Sequence, residues 1–515
     1  MSRQALIVSI AILASACAAR RPPPQLVAET AQAEAAFRAG CYTCLKESLA
    51  ISERHLQTKQ PPVGTQERAF DAALLIAIRE KELGIPGDAA MIKARQLVIP
   101  TRQVVLDAAE LFIGDTTGMD AEQRSQVGPR TRPQLEPDNP KRRALDVQPA
   151  TDLAANYIAL AIDCEQPKLM ESVDIKALLT TYMEVPLMRF RLSTCARPAA
   201  PEAGTLRAGD PRWTDTLYWE GRRELASSIG RAIDLPKVLS LYAEGRDAFP
   251  LSVMLTMAWA NVNMIGEEFE GALSGFDHVL STQPTHRDAI NGRMQALSYL
   301  LRHEDAVASA TRLLDLGTWH IADANYWRAW NRYHLKDYDR AWADVENAIK
   351  GLSNSRVFML AGLIAYARKD LPIAVARFDR AYELDSSACD ATWMSGLVSI
   401  DQNELKIAAP KFTRGMSCFV SAAAALREDR ARREAAIARR GTPPTARENA
   451  QQERLQRDAE TAEEKSAQSA YNAAQCYARI GQKRMAMNLI DVAIAHPKMS
   501  EKAMVMKAAI EKLPN

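Results

Sequence analysis

A repeat of about 34 residues constrains this chain more than any other feature. Val238, Ala272, Ala306, Ala341, Ala374 and Ala408 follow one another at spacings of 34, 34, 35, 33 and 34. Ala486 continues the series 78 residues on, one period plus an insertion of 44. Four residues after these anchors stand Tyr242, Phe276, Ala310, Val345, Phe378, Phe412 and Ile490. Seven after stand Gly245, Val279, Leu313, Ala348, Ala381, Gly415 and Ala493. Twelve before stand Ala226, Ala260, Met294, Ala329, Gly362, Gly396 and Ala474. Steps of three and four place side chains on one helix face. The column twelve before lies on the preceding helix, where small residues let two backbones approach. A two-helix unit of this kind leaves an apolar face that the next unit must cover. The predicted fold class is therefore all-α, an α-solenoid of helix–turn–helix units. With only 23 Gly and 6% aromatics, a large β-sandwich or a glycine-rich nucleotide fold is not expected.

The small-residue column, the Ala anchor and the aromatic or aliphatic column resemble the pattern of the tetratricopeptide repeat (TPR) family. The family's closing Pro stands at Pro250 and Pro284, and one place early at Pro497, while its Trp near the unit start is mostly missing. The resemblance covers roughly Trp219 to Asn515. It implies a right-handed superhelix over 216–515 whose inner wall is formed by the first helix of each unit, and a role in protein binding. On that wall the resemblance places Met254, Met257, Asn261, Asn291, Tyr299, Tyr326, Trp330, Tyr333, Met359, Tyr366 and Trp393 as candidate partner contacts. Met surfaces adapt to varied shapes, and Trp and Tyr are favoured hot spots. Packing against neighbouring helices is the competing role for the same residues. Relatives that grip a C-terminal carboxylate use Lys, Arg and Asn there. Only Arg223, Asn261 and Asn291 remain in this chain, which argues against carboxylate capture.

Charge and motifs exclude most chemistry. Lys+Arg number 65 and Asp+Glu 63, a net charge of +2, so no long-range field gathers nucleic acid. The motifs G-x-x-x-x-G-K-[ST], G-x-G-x-x-G, H-E-x-x-H and G-x-S-x-G are all missing. None of the seven His forms an i, i+4 pair or neighbours a Cys at ligand spacing. No catalytic residue, cofactor, metal or small-molecule substrate is expected, and the partner is expected to be a protein.

The first 16 residues read as a signal peptide: Arg3, a short apolar run from Ala5 to Ala14, and the small triplet Ala14-Ser15-Ala16. The run is too short to span a bilayer as a helix. The segment LASAC, ending at Cys17, resembles the lipobox of bacterial lipoproteins, with Ala14 where that family prefers Leu. The resemblance implies lipidation of Cys17 and a membrane anchor. Ordinary signal peptidase cleavage is the alternative. The expected location is periplasmic or outer-membrane-anchored in a Gram-negative bacterium, with a cytoplasmic protein as the lesser alternative. Residues 17–25 read as a Pro-rich tether.

Region 26–115 reads as divergent helical units, 116–150 as a Pro-rich charged loop and 151–215 as a helical linker. The insertion at about 417–470 is Ala-, Arg- and Glu-rich, with a GTPP tip at Gly441 to Pro444, and predicts a helical hairpin. Export favours disulfides. Cys41 and Cys44 form a C-x-x-C read as a structural pair rather than a redox or metal site. Cys164 and Cys195 each close a helical segment. Cys389 and Cys418 fall at the start of one helix and the end of its antiparallel partner. Cys476 reads as a core thiol. The function expected is a non-catalytic interaction scaffold of the cell envelope. A self-associating structural component and a cytosolic regulator with an uncleaved N-terminus are the alternatives.

Overall fold

The computed structural model describes residues 23–85, 87–113, 140–148, 152–164, 184–195, 203–227, 233–317, 321–441, 443–444 and 446–514. Among these residues every regular element is a helix. Residues 1–16 and Cys17 lie outside them, as do most of 116–150 and part of 151–215. No helix among the described residues is long and apolar enough to cross a membrane.

The chain forms two compact units, 1–296 and 297–515. The division falls inside the helix Arg287–Tyr299 rather than at residue 216. In the first unit, helices Pro24–Ala39, Tyr42–Leu56, Thr65–Leu83, Ala89–Leu97 and Gln103–Ile113 share one apolar core with Leu153–Cys164, Pro186–Cys195 and the first repeats. That core runs from Ala36 to Val262, which is why no boundary falls at 216. Two hydrogen bonds fasten the N-terminal helices to the repeats: Ser252 Oγ donates to Leu83 O at 2.5 Å and Val253 N to Gly84 O at 3.2 Å. The helix expected from residue 26 begins at Pro24, where a Pro at the first position costs no hydrogen bond.

In the second unit, helices pair in succession as hairpins: Ile321–His334 with Tyr338–Ile349, Ser355–Ala367 with Leu371–Leu384, and Cys389–Asp401 with Leu405–Arg440. Each hairpin packs on the next, so the fold is a TPR-like stack of helix pairs. The turns repeat as strictly as the faces. Glu267, Leu301, Lys336, Lys369, Asn403 and Gly481 all have φ between 60° and 80°. Each stands five residues before its anchor. The next residue returns a hydrogen bond to the helix end, as Arg302 N does to Leu297 O and Asp370 N to Ala365 O, both at 2.9 Å.

The insertion extends the flanking repeat helices without a break. Leu405–Arg440 has 36 residues and Ala446–Arg479 has 34. At 1.5 Å per residue each is roughly 50 Å long. Near the base the arms close on Phe419, Ala423, Ala459, Ala462 and Ser466, all buried. From 424 to 458 no described residue is buried.

Candidate partner-binding site

The packing columns set where the wall can be. The anchors Val238, Ala272, Ala306, Ala341, Ala374, Ala408 and Ala486 are all 0% exposed. Phe276, Phe378 and Phe412 are equally buried. A Cβ added at Gly362 would lie 2.5 Å from the Phe378 ring, and one at Gly396 3.0 Å from the Phe412 ring, so these positions must stay small. Ala260, Ala329 and Ala474 are fully buried. Ala226 is only half-buried, because Tyr242 packs on Gly221, one helix turn earlier, where a Cβ would meet its ring at 2.4 Å.

In the first unit the candidate wall is partly covered. Met254 packs against the N-terminal core and its backbone nitrogen lies against Gly84. Met257 and Asn291 are half-buried, and Asn261 is exposed. Asn291 Oδ1 is buried with no hydrogen-bond partner among the described residues.

In the second unit three successive first helices repeat one pattern. Tyr326, Trp330 and Tyr333 stand at steps of four and three, as do Met359, Leu363 and Tyr366, then Trp393, Leu397 and Ile400. All nine are half-buried. Their inner sides pack on the hairpin cores and their outer sides stay open. Tyr299, 47% exposed, meets Trp327 edge-on at 5.6 Å. Trp330 and Tyr333 both approach His334 edge-on, at 4.7 and 5.4 Å. His334 stacks parallel to His303 at 4.9 Å. His303 Nδ1 is 2.8 Å from Asn331 Oδ1, so that nitrogen carries the proton and donates. Burial, then the neighbouring His303, holds the His334 pKa below its ordinary value. Burial raises the pKa of Tyr326 and Tyr333, while Tyr366 is raised first by donating its hydroxyl to Asp401 Oδ2 at 2.8 Å. At neutral pH the phenols therefore keep their protons, so these aromatic side chains carry no charge. Trp327 and the histidine pair escaped the sequence reading because they stand off the anchor-derived positions.

The cysteines are structural in their setting. Cys41 and Cys44 are joined in a disulfide and both are 0% exposed. Their sulfurs and an Asp210 carboxylate oxygen lie within 4.8 Å of one another, but disulfide sulfurs offer no thiolate to a metal. Cys389 and Cys418 form a second disulfide, across a separation of 29 residues. Cys164 is disulfide-bonded. The side chain of Cys195 lies outside those described, and with it the expected Cys164–Cys195 pairing. Cys476 is a buried free thiol whose pKa burial pushes up to about 11.

No family model matches the chain, and no curated protein does. Solved structures do. MamA residues 41 to the end from Desulfovibrio magneticus RS-1 is 20% identical, covering 32% of this chain and 94% of that one, at a TM-score of 0.31. YrrB, described as a TPR protein with an unusual peptide-binding site, is 16% identical over 34% of this chain and 91% of that one, at 0.31. The C-terminal part of a TPR repeat-containing protein from Cytophaga hutchinsonii is 13% identical over 57% and 98%, at 0.40. At such scores the likeness carries no argument, and the fold rests on the helix pairing described above.

Proposed function

We propose that this chain is a protein-interaction scaffold of a bacterial cell envelope, exported and held to a membrane through a lipid on Cys17. It grips a partner segment on the wall formed by Tyr326, Trp330, Tyr333, Met359, Tyr366 and Trp393. The observation that carries this reading is the triple repeat of half-open aromatic and aliphatic side chains on successive first helices. A residue whose only task is core packing has no reason to leave one side uncovered three times in the same register. These uncharged aromatic side chains suit an apolar partner segment that also offers hydrogen-bond acceptors to the Tyr326 and Tyr333 hydroxyls.

Replacing Trp330 and Tyr333 together with Ala tests the wall. Proteins co-purified from envelope extract with the wild-type chain should be lost with the variant, at unchanged helix content. Equal capture by both would reject it. Mass spectrometry of the mature N-terminus tests the anchor, with a diacylated or triacylated Cys17 expected.

A further inference from the structure

The distal half of the hairpin is helical yet has no core. No described residue between 424 and 458 is buried. Near the tip the arms leave an open cleft lined by Arg430, Glu434, Ile437, Gln452 and Gln456. Gln452 Oε1, inside it, has no hydrogen-bond partner among the described residues. Isolated helices gain most of their stability from packing an apolar face, and the distal arms offer each other little of one, with Leu426, Ile437 and Leu455 half-buried.

Charge says what the arms would pair with. Residues 427–440 hold six arginines against three acids, a net charge of +3. Residues 446–464 hold six acids against three arginines, a net charge of −3. Part of this opposition is used between the arms, where Arg430 also donates to Gln456 Oε1. Arg427 reaches Glu463 at 2.5 Å across the seam. Other pairs lie within one arm, Arg430 with Glu434, Arg432 and Arg433 with Asp429, and Arg457 with Glu453, while at the base Glu464 takes Lys498 of the last helix at 2.6 Å. Arg432 and Glu453, at side-chain exposures of 68% and 71%, face solvent.

We infer that the hairpins of two copies pair side by side, basic arm against acidic arm, as an isologous four-helix contact. A two-fold axis along the hairpin brings the +3 arm of one copy against the −3 arm of the other twice, at matching heights above the repeats. Individual surface pairs are weak, so the contact is a network and responds to salt. It does not depend on the aromatic wall.

Sedimentation equilibrium of the mature full-length chain tests this. Wild type should dimerise at 50 mM salt, and 500 mM salt should weaken the dimer at least tenfold. Arg432→Glu with Arg439→Glu should weaken it at least tenfold, and so should Glu453→Arg with Asp458→Arg. Mixing the two charge-reversed variants should restore a mixed dimer, with helix content unchanged throughout. A wild type monomeric at 50 mM salt overturns the inference. So does a reversal on either arm that leaves dimerisation intact, or a mixture that stays monomeric. The Trp330→Ala, Tyr333→Ala variant should dimerise like wild type, which separates failure of this contact from failure of the wall.

Discussion

Asp71 shows how one residue can govern the pH response of the N-terminal unit. Its Oδ2 accepts from Arg102 Nη2 at 2.6 Å, while the same guanidinium also serves Asp152. Asp71 is 5% exposed, and its Oδ1 has no hydrogen-bond partner among the described residues. Burial, opposed by Arg102 and reinforced by Asp152, pushes its pKa up to about 7. A pKa raised on folding gives stability that is complete below the unfolded value, near 4, and is lost as pH rises through 7. Between pH 5 and 8 the unfolding free energy of the wild type should fall by on the order of 2–3 kcal/mol from this group. Asp71→Asn should remove that fall, as read from urea midpoints at the two pH values; parallel pH profiles would show that Asp71 is ionised throughout. A second charged cluster nearby is neutral as a set. Arg79, 0% exposed, pairs with Asp215 and Glu82, while Glu82 accepts from Arg191 Nη1 and from Tyr157 Oη, both at 2.8 Å. Each charge there is met by its opposite, as burial demands.

The turns between paired helices carry the cost of a non-glycine residue in the left-handed region five times. Leu301, at φ 60° and 72% exposed, gains nothing from burial to offset it. Leu301→Gly should therefore stabilise the second unit by about 0.5–1 kcal/mol, raising its thermal midpoint. A lower midpoint would mean that glycine's freedom in the unfolded chain outweighs the relief. The Cys389–Cys418 disulfide clamps the start of one helix to the long arm just below where it leaves the repeats. Closing a loop of this length stabilises by about 3–4 kcal/mol through the unfolded state. Reduction, or Cys389→Ser with Cys418→Ser, should cost that amount in a denaturant titration, whereas a loss under 1 kcal/mol would show the repeat packing alone holds the arm's base.

Across the whole molecule, stability is unevenly spread. No described residue in the stretch 424–458 is buried, so it opens first. Brief trypsin treatment should cut at Arg432 and Arg439 before any site in the repeats and leave nicked chains with unchanged helix signal. First cuts in the repeats would contradict this. The repeat itself was legible in the sequence, because a unit that must bury both its own seam and its neighbour repeats small and large residues at one spacing. The Ala and Phe columns and the Gly362 and Gly396 contacts follow from that local rule, and the hairpin arms from a run of good helix formers broken at GTPP. The half-open state of Tyr326, Trp330 and Tyr333 did not follow, since a helical stripe looks the same whether a neighbour covers it or solvent does. Nor did the Arg79–Glu82–Asp215 cluster, whose members lie up to 136 residues apart. Periodicity records what each helix must bury. Which distant side chains meet, and which faces stay open, depends on how separate segments pack, and only the tertiary structure decided it.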